Sequence, residues 1–190
     1  WRPEAVERAR PAGERIAFYG NLATEANQEG ARHLLEAILP AVRRAIPGAE
    51  GLLIGAGLTE PLRALAGRAG AEATGFVPDP RPWLRSAAVL ALTLRTGSGQ
   101  RGRVVEAVSL GVPVVGYPEA LEGLDLREGE GVMAARSAEE MAATIIRLLR
   151  DEAFAARVAA DGRRRVEACY GWDATYGRFP DLYERLLAAR

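Results

Sequence analysis

The stretch Leu94-Arg95-Thr96-Gly97-Ser98-Gly99-Gln100-Arg101-Gly102-Arg103-Val104-Val105-Glu106-Ala107 ends an apolar run, passes through a glycine-rich turn and opens a short helix. Glycines let main-chain N–H groups come close to a phosphate, and a helix N-terminus adds partial positive charge. The helix is amphipathic. Val104, Val105 and Val108 point one way, onto a sheet, while Arg103 and Glu106 lie three apart on the other side. On a sugar nucleotide such a pair divides the work: the guanidinium neutralises diphosphate and the carboxylate accepts hydrogen bonds from two ribose hydroxyls. A solvated ion pair worth about 0.3–0.5 kcal/mol explains the same spacing more simply, and on spacing alone it stands ahead.

Outward from this unit the pattern alternates. Short apolar runs read as buried strands: Ile16 to Tyr19, Leu52 to Ile54, Glu72 to Thr74, Val89 to Leu94, Val112 to Val115 and Val132 to Ala134. Between them lie stretches with helical periodicity. The clearest carries Ala31, Leu34, Leu35, Ile38, Val42 and Ile46, is expected to be capped by Asn27 and kinked before Pro40, and stops at Pro47-Gly48. Others run from Pro61 to Ala69, Ser137 to Arg150, Asp151 to Cys169 and Asp173 to Ala189. Strands buried on both faces and alternating with helices imply an α/β fold, a doubly wound parallel (Rossmann-like) sheet with helices on both faces. Six strands in the order 3-2-1-4-5-6 are expected. Ligands of such sheets sit beyond the carboxyl ends of the strands, near the switch point. That brings four loops to one crevice: Gly20–Thr24, Gly55–Thr59, Gly75–Pro80 and Arg95–Gly102. Residues 1–14, charged and with two prolines, read as a linker or arm, and residues 15–190 as the domain.

Composition narrows the function. With 190 residues, 48% hydrophobic and 26% charged, the chain is an ordinary globular length and mixture. The formal net charge is +0, so no overall field draws it to nucleic acid. All 25 basic residues are arginine, which suits planar phosphate recognition, although a GC-rich coding bias accounts for most of them. The one cysteine, Cys169, excludes an internal disulfide. No apolar run approaches the roughly 20 residues of a membrane-spanning helix. A single histidine and a single cysteine give little support for a protein metal site, and none is expected. His33, beside the apolar stripe of the first helix, is read as a surface helix position rather than a catalytic base. Trp172 is read as the anchor of the last helix, with Asp173 as its cap.

The same turn holds a complete Gly-x-Gly-x-x-Gly at Gly97, Gly99 and Gly102, with Glu119 about 20 residues on. An NAD(P)- or FAD-binding oxidoreductase domain is therefore the main alternative. Against it, the fingerprint normally belongs to the first strand–helix unit, and here it is the fourth. Arg101 and Arg103 also stand where that motif prefers small or apolar residues. A non-enzymatic association module and a sugar-nucleotide epimerase of the same fold are further alternatives.

The run from Gly97 to Ala107, then Gly111-Val112-Pro113-Val114-Val115 and Glu122-Gly123-Leu124, resembles the retaining glycosyltransferase group 1 family (GT4, GT-B fold). Tyr19-Gly20-Asn21 with Asn27, Pro40 and Pro47, Leu53-Ile54-Gly55, Gly75-Phe76-Val77-Pro78-Asp79 and Tyr170-Gly171-Trp172 agree in order, so the likeness runs from about Arg15 to the end. Each piece is weak alone, and their order is specific for the C-terminal, donor-binding half. The resemblance implies transfer of a sugar from a nucleoside diphosphate sugar to an acceptor, with retention at the anomeric carbon and without a metal or other cofactor. It implies that Glu106 holds the donor ribose, as the second glutamate of the family's Glu-x7-Glu, and that Arg103 contacts diphosphate at a position usually lysine. Gly20 and Asn21 fall on the first phosphate loop. Phe76 and Val77 match the segment whose backbone reads the base. Three departures stand out. The first glutamate falls at Ser98. The arginine and lysine of the first phosphate loop are absent, with Asn21 in place of the arginine. Diphosphate charge therefore falls on Arg103 with Arg95 or Arg101, and on the amides of Gly97, Ser98 and Gly99. The third departure is the N-terminal acceptor-binding domain, which is not in this chain. The resemblance makes that domain a partner, without which this chain is expected to be inactive. It also implies a cytoplasmic location, with peripheral association at the inner face of the membrane through the missing half.

Overall fold

The computed structural model describes residues 13–95, 102–171, 174, 176–177 and 179–188. Gly97, Ser98, Gly99 and Arg101 of the glycine-rich turn lie outside the described residues, as do Trp172, Asp173 and most of the expected N-terminal arm.

Six strands form one parallel sheet: β1 (Arg15–Tyr19), β2 (Glu50–Ile54), β3 (Ala71–Ala73), β4 (Val89–Leu92), β5 (Val114–Gly116) and β6 (Val132–Ala134). Their order is β3-β2-β1-β4-β5-β6, as the alternating pattern predicts, and every pairing is parallel. The strands at the centre are buried without alternation. Ile16, Ala17 and Phe18 are all inaccessible in β1, as are Val89, Leu90 and Ala91 in β4, which is what cover on both faces requires. The chain leaves β1 toward β2 on one side and returns to β4 on the other, so the topological switch point lies between β1 and β4.

The first helical stretch is three segments: α1 (Glu25–His33), a π-helical turn over Leu34–Ile38, and α2 (Leu39–Ala45). The expected disturbance before Pro40 is therefore a π-helical turn over Leu34–Ile38, next to a residue that lacks the N–H of the helical ladder. Thr24, not Asn27, occupies the cap position. Asn27 lies inside the first turn and is buried, because its side chain has tertiary partners described below. After β2 comes α3 (Glu60–Arg68), and after β3 a short α4 (Arg81–Ser86). Helix α5 (Gly102–Ser109) follows β4, and another short helix, α6 (Pro118–Leu121), follows β5. Neither short helix has enough turns to show a periodic stripe in the sequence.

The chain then builds α7 (Ala138–Arg150) and α8 (Glu152–Tyr170), each with a side-chain cap. Ser137 Oγ accepts from the Glu140 N–H, and Asp151 Oδ1 from the Phe154 N–H. Helix α7 packs on α2, and α8 on α5. A C-terminal helix spans Phe179–Ala188 and leaves Tyr183, Leu186 and Leu187 exposed. No described helix is long and apolar enough to cross a membrane.

Candidate functional site

The loops at the carboxyl ends of β1, β2 and β3 are laced together through their main chains. The Gly20 N–H donates to the Ile54 carbonyl (3.0 Å), Leu22 N–H to Ala56 (2.7 Å) and Gly55 N–H to Gly75 (3.2 Å). This needs a glycine at 55: φ there is +142°, and a Cβ would run into the Gly20 carbonyl oxygen. Three of the four loops expected in the crevice are thus fixed to one another by their backbones.

Above them opens a cavity of about 480 Å³, lined by Tyr19, Gly20, Asn21, Gly55, Ala56, Phe76, Val77, Pro80, Arg103 and Glu106. Six sequence-predicted site residues meet here: Gly20, Asn21, Phe76, Val77, Arg103 and Glu106. Val104, Ala107 and Val108 bury the inner face of α5, which turns the opposite face, with Arg103 and Glu106, toward the cavity. Glu106 is half-buried and aimed into the cleft, so the pair is not the solvated surface bridge that spacing alone favoured. Among the described lining residues, Arg103 is the cation and Glu106 the anion.

Arg103 is held firmly. Its Nη1 donates to the Tyr19 carbonyl and to Asn27 Oδ1, both at 2.9 Å. Asn27 in turn donates from Nδ2 to the Asn21 carbonyl at 2.7 Å, and Asn21 Oδ1 accepts from the Ala23 N–H. One buried amide thereby ties α1, the first loop and α5 together. Beside it, Tyr19 and Glu106 line the same cavity. Burial, then the nearby Glu106 carboxylate, push the Tyr19 phenol up to about 12, so it keeps its proton at any physiological pH. Phe76 lines the same cavity and stands 74% exposed.

Two expectations are corrected. Arg95 does not line the cavity; its guanidinium lies over the Tyr117 ring, 4.0 Å from the centroid. A cation–π contact with a buried aromatic gives that charge a local partner. His33 is half-buried rather than a surface residue, with Nε2 2.7 Å from the Tyr117 hydroxyl. Burial, then the nearby Arg95 charge, lower the His33 pKa, so the ring is neutral near pH 7. Sequence reasoning missed Tyr19, Asn27 and Pro80 as parts of the site. Tyr19 and Asn27 stood in the family-like run Tyr19-Gly20-Asn21 with Asn27, and Pro80 ended a loop already assigned to the crevice, but none of the three was given a role in the site. Asn27 gave the same polar signal as a cap.

Comparison with known proteins follows the same lines. The family model described as "Glycosyl transferases group 1" matches residues 13–151. No match is found among curated proteins. Among solved structures, the chain is similar to Anabaena HepE in complex with UDP and glucose, with a TM-score of 0.66, 18% identity, and 82% of this chain and 44% of that one covered. It is similar to the sucrose-phosphate synthase of Thermosynechococcus elongatus, with a TM-score of 0.73, 22% identity, and 95% and 47% covered. It is also similar to the C-terminal domain of a glycosyl transferase group 1 family protein (LpcC) from Francisella tularensis, with a TM-score of 0.64, 17% identity, and 82% and 85% covered. The chain thus spans less than half the length of the first two, and most of the separate C-terminal domain.

Proposed function

The chain belongs to the glycosyl transferases group 1 family, and from this premise we propose that it is the donor-binding half of a retaining glycosyltransferase. It takes a nucleoside diphosphate sugar in the cavity over β1 and β4 and works with an N-terminal acceptor-binding domain. The observation that carries this reading is the convergence of Arg103 and Glu106, one helical turn apart on α5, on a cavity at the switch point of the sheet.

Each part of such a donor has a suitable neighbour. The diphosphate carries the charge that builds up as the glycosidic bond breaks. A guanidinium already fixed by two hydrogen bonds meets that charge without reorganising. The N-terminus of α5 adds partial positive charge, and the family resemblance assigns amide donors to the Gly97–Gly102 turn that precedes it in the sequence. Glu106 accepts from the ribose hydroxyls, and Phe76 with Val77 borders the base. With these groups the reading needs no metal and no cofactor. The small share of HepE and of the synthase that this chain covers supports a partner domain. A cytoplasmic location for the reaction belongs to the same proposal.

Calorimetric titration tests the reading. UDP, GDP, ADP and CDP are titrated into the wild-type chain and into Glu106→Ala, with NADH as a control. At least one nucleoside diphosphate should bind wild type, and Glu106→Ala should bind it more weakly by about 1.5–3 kcal/mol, the value of hydrogen bonds to a charged acceptor. NADH binding without any nucleoside diphosphate binding would transfer the site to the oxidoreductase alternative.

A further inference from the structure

We propose that His33 is a positioning residue for Arg103: by holding Tyr117 it anchors helix α1, which carries Asn27 to the Arg103 guanidinium. The inference rests on the donor-site reading above and gives a role to a residue outside the cavity.

Asn27, Gly30 and His33 follow one another at three-residue intervals on α1, and each reaches a different element. Asn27 Oδ1 accepts from Arg103 Nη1 of α5 at 2.9 Å. The Gly30 carbonyl accepts from Thr93 Oγ1, just after β4, at 2.6 Å. His33 Nε2 lies 2.7 Å from the hydroxyl of Tyr117, just after β5. A Cβ at Gly30 would come within 2.9 Å of the Leu94 and Phe18 side chains, so the middle of the helix rests closely on the sheet while its two ends are held by side chains.

Tyr117 is a fixed reference for the far end. It is fully buried, its N–H donates to the Leu92 carbonyl at 3.4 Å, and the Arg95 guanidinium covers its ring. A buried hydroxyl without a partner is costly, which favours keeping the His33 contact. Helix α1 needs such an anchor because a π-helical turn over Leu34–Ile38 follows it directly. Helices bend at such turns, so the place of α2 does not by itself fix that of α1. From His33 to Asn27 the helix rises about 9 Å, short enough to carry a tilt at one end to the other. N–H···O hydrogen bonds keep to about 2.7–3.2 Å, so a small shift at Asn27 costs Arg103 that partner. Arg103 is the group that meets the diphosphate, so loss of the anchor should fall on phosphate recognition.

The test separates phosphate recognition from folding, on the 190-residue chain. UDP, GDP, ADP and CDP are titrated, and the one that binds most tightly is compared with its monophosphate in wild type, His33→Ala, His33→Gln and Tyr117→Phe, with a melting curve for each. His33→Ala and Tyr117→Phe should weaken the diphosphate by about 3- to 10-fold and the monophosphate less, so that the preference for the diphosphate shrinks. His33→Gln should restore it, since a glutamine amide accepts or donates in place of Nε2 whichever tautomer the imidazole holds. In the Asn27→Ala background, Tyr117→Phe should leave the preference unchanged. If His33→Ala does not fold, Tyr117→Phe, which keeps the buried ring, decides the matter. A Tyr117→Phe variant with the wild-type preference, or one that weakens both nucleotides equally, overturns the positioning role while the donor site stands. If wild type binds no nucleoside diphosphate, the donor-site reading fails and this inference with it.

Discussion

Asn27 joins three parts of the site through one side chain: it donates to the Asn21 carbonyl and accepts from Arg103. Replacing it with alanine removes a buried donor and acceptor together and leaves the guanidinium with one partner fewer. Asn27→Ala should lower unfolding free energy by about 1–3 kcal/mol, read as a fall in the urea midpoint. Nucleotide affinity should fall with it, because Arg103 is then less well fixed. An unchanged urea midpoint would contradict the role given to Asn27. At this scale the sequence was readable where chemistry and spacing agreed. Arg103 and Glu106 follow from a turn, a helix and a family pattern. Asn27 was misassigned because a polar residue near a helix start satisfies the same rule whether it caps the helix or reaches across to another element. Arg95 went astray because its aromatic partner, Tyr117, lies 22 residues further along the chain and carries no local mark.

At the level of elements, close approach of backbones decides more than propensity. Helix α8 crosses the start of β6 at Gly162, where a Cβ would collide with the main chain of Gly131 and with Val108 of α5. Gly162→Ala removes a helix-weakening glycine, which by propensity alone would stabilise α8 by about 1 kcal/mol. The collision should win, since overpacking a tight contact costs about 1–3 kcal/mol. Thermal or urea unfolding checks the sign, and a stabilised Gly162→Ala would refute the close contact. Five of the strands were legible as apolar runs. The fifth was placed too early because Val112, apolar and β-branched, spends its N–H on the Ala107 carbonyl at the end of α5 before β5 begins at Val114. The third, expected as a buried run over Glu72 to Thr74, spans Ala71–Ala73 and contains no buried residue. Alternation of strand and helix, rather than any single boundary, carried the topology.

Over the whole molecule, the burial pattern, the strand order and the family match over residues 13–151 lead to the same doubly wound α/β fold of the glycosyl transferases group 1 family. The doubly wound sheet explains why residues from Tyr19 to Glu106, far apart in the chain, share one cavity: every contributing loop leaves the same edge of a parallel sheet. A structure of the chain soaked with the tightest-binding nucleoside diphosphate tests the account most directly. It should show the ribose hydroxyls within hydrogen-bond distance of Glu106 and the diphosphate between Arg103 and the turn that precedes α5. A nucleotide bound elsewhere on the chain, or one lying in this cavity with its ribose turned away from Glu106, would contradict it.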